Sequence, residues 1–175
     1  MAAYIDRIGH RKVRLRTDNE PSIMEIAKLV SKKREQETVV ETTPRYSSAS
    51  NGRAERTIQT IRKQMVTLKL AAESRYGFKL TAGHAAWGWL ARHAAWLIAR
   101  YHVKLNRRTA YSEVFEEEYR GSLVEWGETV LFRRPRPEHR KVGEETLRKG
   151  ESGWERGIWL GKAEESDEHL VGARA

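Results

Sequence analysis

Val13-Arg14-Leu15-Arg16-Thr17-Asp18-Asn19-Glu20-Pro21 is the stretch whose reading decides the fold. Val13 and Leu15 alternate with Lys12, Arg14 and Arg16, the period of a half-buried strand. The strand ends at Thr17-Asp18-Asn19. Pro21 suits the first position of a helix, with Asn19 or Glu20 near the cap. Ile23, Ile26, Ala27 and Val30 then give a helical apolar face to about Lys33. A polar break, KKREQE, precedes a second strand at Thr38-Val39-Val40-Glu41-Thr42. Helix, strand and the loop that follows make a crossover that can return the chain to the same sheet edge.

The pattern continues outward from this unit. Residues 1–9 read as the end of a helix. Thr43 to Gly52 (TPRYSSASNG) is turn-rich and reads as a loop. Beyond it Ala54, Ile58, Ile61, Met65, Leu68 and Ala72 recur at helical spacing. A helix from Arg53 to Ala72 would be about 30 Å long, and Gly77 stops it. Trp87, Leu90, Ala94, Leu97 and Tyr101 mark another amphipathic helix. From about Glu125 the style turns to short strands around Trp126, Thr129 to Phe132 and Ile158 to Leu160. A basic linker, RRPRPEHRK, lies between them (Arg133, Arg134, Arg136, Arg140, Lys141).

The 175 residues carry 33 Lys plus Arg against 24 Asp plus Glu, a net charge of +9. That balance favours a polyanionic partner. Without cysteine there is no disulfide, zinc knuckle or thiol nucleophile. The first residues lack the apolar core of a secretory signal. The most apolar stretch, Ala85 to Tyr101, is interrupted by Arg92 and His93, so no membrane partner is expected. Residues 144–175 have a net charge of −3, which puts the positive charge upstream.

Two acidic residues stand out there. Asp18 lies just past a strand end, and Glu55 lies on the first turn of the long helix, with 36 residues between them. Carboxylates converging at one sheet edge could bind a hard divalent cation such as magnesium, which takes one or two carboxylates plus substrate phosphates. Gln59 and Arg62 share the helix side of Glu55. From Asn51 to Leu70 five basic residues (Arg53, Arg56, Arg62, Lys63, Lys69) surround Glu55 as the single acid. The same residues also suit a solvated helix face whose N-terminal Glu complements the macrodipole. Spacing leaves both readings open.

LRTDN, followed by NGRAER and then TIQTIRKQM, resembles the second half of a retroviral-type integrase core, above all that of copia-type retrotransposon polyproteins. There a catalytic Asp sits in a TDN motif and a catalytic Glu in an NG-x-x-ER motif. The resemblance implies Asp18 and Glu55 as catalytic residues and ligands of Mg2+ or Mn2+. It implies Asn51, Arg56, Gln59, Arg62 and Lys63 as nucleic-acid contacts. Weaker likenesses follow at Trp87 to Ile98 with Arg100, at Thr109-Ala110-Tyr111-Ser112, and at Gly157-Ile158-Trp159-Leu160-Gly161. Glu20 stands where the family motif usually has Gly. The family also needs an earlier Asp on an upstream strand, and Asp6, in a helical context, is no substitute.

The expected fold is α/β: a partial RNase H-like integrase core, truncated at its N-terminal strands, over residues 1–78. A helical extension follows over 79–120 and a small strand-rich segment over 121–175. The expected function is that of an integrase fragment acting in DNA integration by metal-dependent strand transfer, impaired alone because the first catalytic Asp is absent. The alternative is a non-catalytic nucleic-acid-binding remnant of a mobile element. DNA is the expected partner, with a second copy or other polyprotein segments beside it, and the nucleus the expected place. RRPRPEHRK reads equally as an import signal, a DNA contact or a solvated linker. His84, His93 and His102, nine apart, do not share one helix face as ligands. Trp87 reads as core, while Trp89 and Trp96 stay open between core and base stacking.

Overall fold

A computed structural model describes residues 1–43, 52–133 and 153–173. The chain is mixed α/β, and its contacts divide it into two compact units, Met1–Thr60 and Ile61–Ala175. Among the described residues no helix is long and apolar enough to cross a membrane.

The first unit is a strand–helix–strand crossover. It holds α1 (Ala2–Arg7), β1 (Val13–Thr17), α2 (Pro21–Lys33), β2 (Thr38–Thr42) and the beginning of α3 (Gly52–Tyr76). β1 and β2 pair in parallel, in register from Val13 opposite Thr38 to Thr17 opposite Thr42. Glu20 is the N-cap of α2 and Pro21 occupies its first turn. α2 packs on both strands and buries Ala27 and Val30. Ile23 and Ile26, expected on that buried face, are exposed instead, since among the described residues the sheet under α2 has two strands and covers Ala27 and Val30. The other face of the sheet is finished by ion pairs: Lys12 with Glu37 at 2.6 Å, Arg14 with Glu41 at 3.0 Å and Arg16 with Glu41 at 3.4 Å.

Arg34, just past α2, holds this unit at its other end. Its buried guanidinium bonds Asp6 Oδ1 at 2.6 Å, Thr38 Oγ1 at 2.9 Å and the His10 carbonyl at 3.0 Å. Three acceptors satisfy a charge that would be costly to bury alone. Asp6 therefore serves as an anchor for α1.

The second unit contains the rest of α3, then α4 (Ala86–Tyr101), α5 (Ala110–Phe115), β3 (Thr129–Arg133), β4 (Trp154–Lys162) and β5 (His169–Gly172). The strands form an antiparallel sheet in the order β3-β4-β5. α3 runs one turn past its expected end, and Gly77 stops it at φ +66°. One core gathers Ala72, Leu80, Leu90 and Trp126, with Met65 and Leu68 against them. The buried Glu73 carboxylate accepts the Leu80 amide at 2.8 Å, and that bond, with Lys69 and Lys79 nearby, holds its pKa below the usual range. β5 and the short α5 lack a sequence period long enough to announce them. Thr109 and Ser112 cap α5 reciprocally.

α4 packs on β4 through aromatic residues. His93, 2% exposed, meets Trp159 edge-on at 5.0 Å and stacks near Trp96 at 5.9 Å. A Cβ on Gly161 would lie 3.2 Å from His93 Nδ1, and Gly161 has φ +130°, so glycine is required twice over there. Trp96 is thus core, and Trp89, partly exposed beneath the Arg92 guanidinium, is not. Next to this layer Lys162 Nζ lies 2.7 Å from Asp167 and 3.0 Å from Tyr119 Oη, while the Tyr119 hydroxyl donates to Asp167 at 2.8 Å.

Burial lowers the His93 pKa to about 4 from 6.5. The imidazole is neutral in the fold, so unfolding takes up a proton below about pH 6.5. The stability it permits is complete above that pH and falls as the pH drops toward 4. Denaturant unfolding is expected to lose about 2 kcal/mol between pH 7 and pH 5 from this group. In His93→Leu that part of the pH dependence should vanish.

Candidate functional site

The carboxyl ends of β1 and β2 are tied together by short-range hydrogen bonds. The Thr17 carbonyl accepts the Thr43 amide at 2.8 Å and the Thr43 hydroxyl at 2.9 Å. Asn19 Nδ2 donates to the Thr43 carbonyl at 3.0 Å. Asp18 sits between these residues, exposed, with Oδ1 accepting the Glu20 amide at 3.3 Å. This turn carries the chain from β1 into the cap of α2. It leaves Asp18 at the carboxyl end of a parallel pair, where α/β sheets commonly bind ligands.

Glu55 lies in the first turn of α3. It is exposed and has no hydrogen bond or ion pair among the described residues. Asp18 and Glu55 share no partner. Among the described residues no group of three or more His, Asp or Glu side chains is disposed to hold a metal ion. Asn51 and the basic residues from Arg134 to Lys141 lie outside the described residues.

α3 has two distinct sides. At 3.6 residues per turn, Glu55, Arg56, Gln59, Arg62 and Lys63 fall within a sector of about 120°. All five are exposed. The Arg56 guanidinium reaches back to the Gly52 carbonyl at 3.1 Å, and no side-chain partner holds Gln59, Arg62 or Lys63 among the described residues. The apolar stripe lies on the opposite side. Its later part, Met65, Leu68 and Ala72, packs in the second unit's core, while Ala54 and Ile58 at its start are exposed, Ile58 to 48%. Expected burial of the whole stripe is thus met only beyond Ile61, where other elements pack against the helix.

His84 and His102 are exposed and His93 is core, so the three histidines form no ligand set. Arg133, taken from sequence as the start of a linker, is the last residue of β3, and Arg156 lies on β4. Strand alternation across 129–133 and 154–158 is the signal that would have put both side chains on one sheet face.

Because Arg62 and Lys63 are exposed and unpaired among the described residues, Arg62→Glu plus Lys63→Glu is expected to change unfolding free energy by less than about 0.5 kcal/mol. Far-UV circular dichroism during denaturation checks this, and a larger loss would assign these side chains a structural role.

Compared with protein-family models, with curated proteins and with solved structures, the chain matches none.

Proposed function

We propose that the chain works on DNA as part of a retrotransposon-type integrase with an RNase H-like core, acting in the nucleus. The observation that carries this reading is the basic side of α3: Arg56, Arg62 and Lys63 exposed around Gln59 and Glu55, opposite the stripe that packs. A helix face of this kind attracts phosphates irrespective of base sequence. The parallel crossover adds support, since it leaves Asp18 at the carboxyl end of β1. Asn51 joins the proposal from sequence alone.

Magnesium or manganese belongs to this reading, and the donor chemistry fits a hard cation in kind. Asp18 has one oxygen engaged by an amide, and Glu55 has neither engaged, so no arginine or lysine among the described residues competes for them. Asp18 and Glu55 would hold the ion. When bound, it supplies Lewis-acid stabilisation to the oxygens of a phosphodiester. Arg56, Gln59, Arg62 and Lys63 would bind the backbone of the DNA end and orient it. The chain contributes two of the three carboxylates that the resemblance implies, and strand transfer by it alone is expected to be absent. Magnesium-dependent joining of DNA ends, abolished by Glu55→Gln, would overturn that expectation.

Duplex binding followed by fluorescence anisotropy is expected to weaken steeply with salt. Arg62→Glu plus Lys63→Glu should lower affinity at least tenfold and reduce the logarithmic salt slope by about 2. Unchanged affinity would defeat the role given to α3.

A second reading is a nucleic-acid-binding module without catalysis, favoured by the exposed basic side of α3, which attracts phosphates without needing Asp18 or Glu55. Magnesium titrations separate the two. On the integrase reading magnesium strengthens binding to a DNA end, and Asp18→Asn or Glu55→Gln each removes that increment while sparing metal-free binding. Equal behaviour of both variants and the parent chain would leave the binding module as the function.

A further inference from the structure

The sheet of the second unit has a face turned away from its core. Along β3 Val130 and Phe132 are half-buried, and along β4 Gly157 and Trp159 are buried on the side that packs on α4. Alternation turns Leu131, Arg133, Arg156 and Ile158 to the opposite side. There Leu131 is 63% and Ile158 51% exposed.

Register sets Leu131 opposite Arg156 and Ile158 opposite Thr129. The two aliphatic residues are therefore diagonal neighbours across the strand pair, about 7 to 8 Å apart. Arg133 and Arg156 are diagonal in the same way. Both arginines are exposed, and neither meets a carboxylate among the described residues. Aliphatic side chains flanked by guanidinium groups suit a protein surface. An apolar counter-surface covers the former, and arginine is among the residues that interfaces favour. A phosphate backbone would engage the arginines and leave Leu131 and Ile158 in water.

The same chain carries the complement. α5 ends in Val114 and Phe115, 40% and 41% exposed, and runs directly into Glu116, Glu117 and Glu118, all exposed. Phe115 packs against Tyr111, with ring centroids 4.7 Å apart, and keeps that exposure. The Tyr111 hydroxyl donates to Glu117 at 3.2 Å, and no cation engages Glu116 or Glu118 among the described residues. One patch is thus apolar and basic, the other apolar and acidic. Each is exposed in its own chain, so neither covers the other there.

We propose that the outer face of the β3–β4 pair docks the α5 end of a second copy of this chain, with Leu131 and Ile158 covering Val114 and Phe115, and with Arg133 and Arg156 facing Glu116 and Glu118. Opposite charges steer the two surfaces together and fix which way round they meet. The two patches differ, so the contact is heterologous. It closes into a ring or pair if the rotation that repeats it closes, and otherwise extends from copy to copy. This contact does not use α3 and is independent of the function proposed for that helix.

The test uses the full chain without nucleic acid, in sedimentation-velocity runs up to about 0.5 mM, enough to populate a weak contact. The parent chain is expected to self-associate, and to do so less as salt rises. Arg133→Glu plus Arg156→Glu should weaken association at least about tenfold, because like charges then face each other. Glu116→Lys plus Glu118→Lys should do the same. Mixed in equal amounts, the two charge-reversed chains should associate again, since each supplies the surface that the other has lost. Leu131→Ser plus Ile158→Ser should weaken association while keeping its salt dependence. A parent chain that stays monomeric throughout would overturn the proposal. So would unchanged association in either charge-reversed chain, or charge-reversed chains that remain apart when mixed. A circular-dichroism melt shows which variants fold. Should one charge-reversed chain unfold, the other decides.

Discussion

Parallel pairing of β1 with β2 is the constraint on which the first unit rests. Two parallel strands cannot be joined by a tight turn, so the chain must climb back through a helix, and α2 is that helix. Everything at the carboxyl end follows from it. Thr17 and Thr43 finish side by side, Asn19 bridges to Thr43, and Asp18 is left exposed between two tied strand ends. At the other end Arg34 gathers Asp6, His10 and Thr38 around one buried guanidinium. A two-stranded sheet buries little apolar surface, so directional polar contacts carry an unusual share of the organisation here. Ion pairs centred on Glu37 and Glu41 finish the far face in the same manner.

The second unit is organised by a different principle. Its interior is aromatic, with Trp96, Trp126 and Trp159 buried and a neutral histidine among them. Polar groups are admitted where they satisfy one another. Lys162, Tyr119 and Asp167 share a three-way contact, and Arg100 lies 4.3 Å over the Trp96 ring while facing Glu164 at 3.3 Å. These clusters fasten the segment after α5 to the β4–β5 turn. Gly161 is their counterpart in the backbone, since a side chain there would crowd His93. Such a core is sensitive to acid through His93 and through Asp167, whose pKa lies below the usual carboxylate range because the hydrogen bonds from Lys162 and Tyr119 outweigh its burial.

α3 divides its labour by side. One stripe is committed to packing from Met65 onward, which frees the opposite side to be basic without a stability cost. That separation gives the proposed nucleic-acid binding a physical basis beyond net charge.

Much of the secondary structure was legible in the sequence, because it is written in local periods. Alternation at Val13 and Leu15, Pro21 after the strand, and the 4-3-4-3-4 spacing from Ala54 to Ala72 each arise from short-range geometry, and each element is present. β5 and α5 were not legible, since four and six residues are too few to establish a period. Which apolar residues would be covered was not legible either. Ile23 and Ile26 carry the same pattern as Ala27 and Val30, yet only the latter pair meets the two strands. Asp6 and Arg133 are similar cases: one reads as a stray acid and is an anchor, the other reads as linker and is a strand residue. Sequence alone thus determined the charge and the helical and extended segments, and offered candidates for phosphate chemistry. Tertiary structure decided which faces are open, because burial and cross-strand register depend on partners distant in the chain, and no local pattern encodes them.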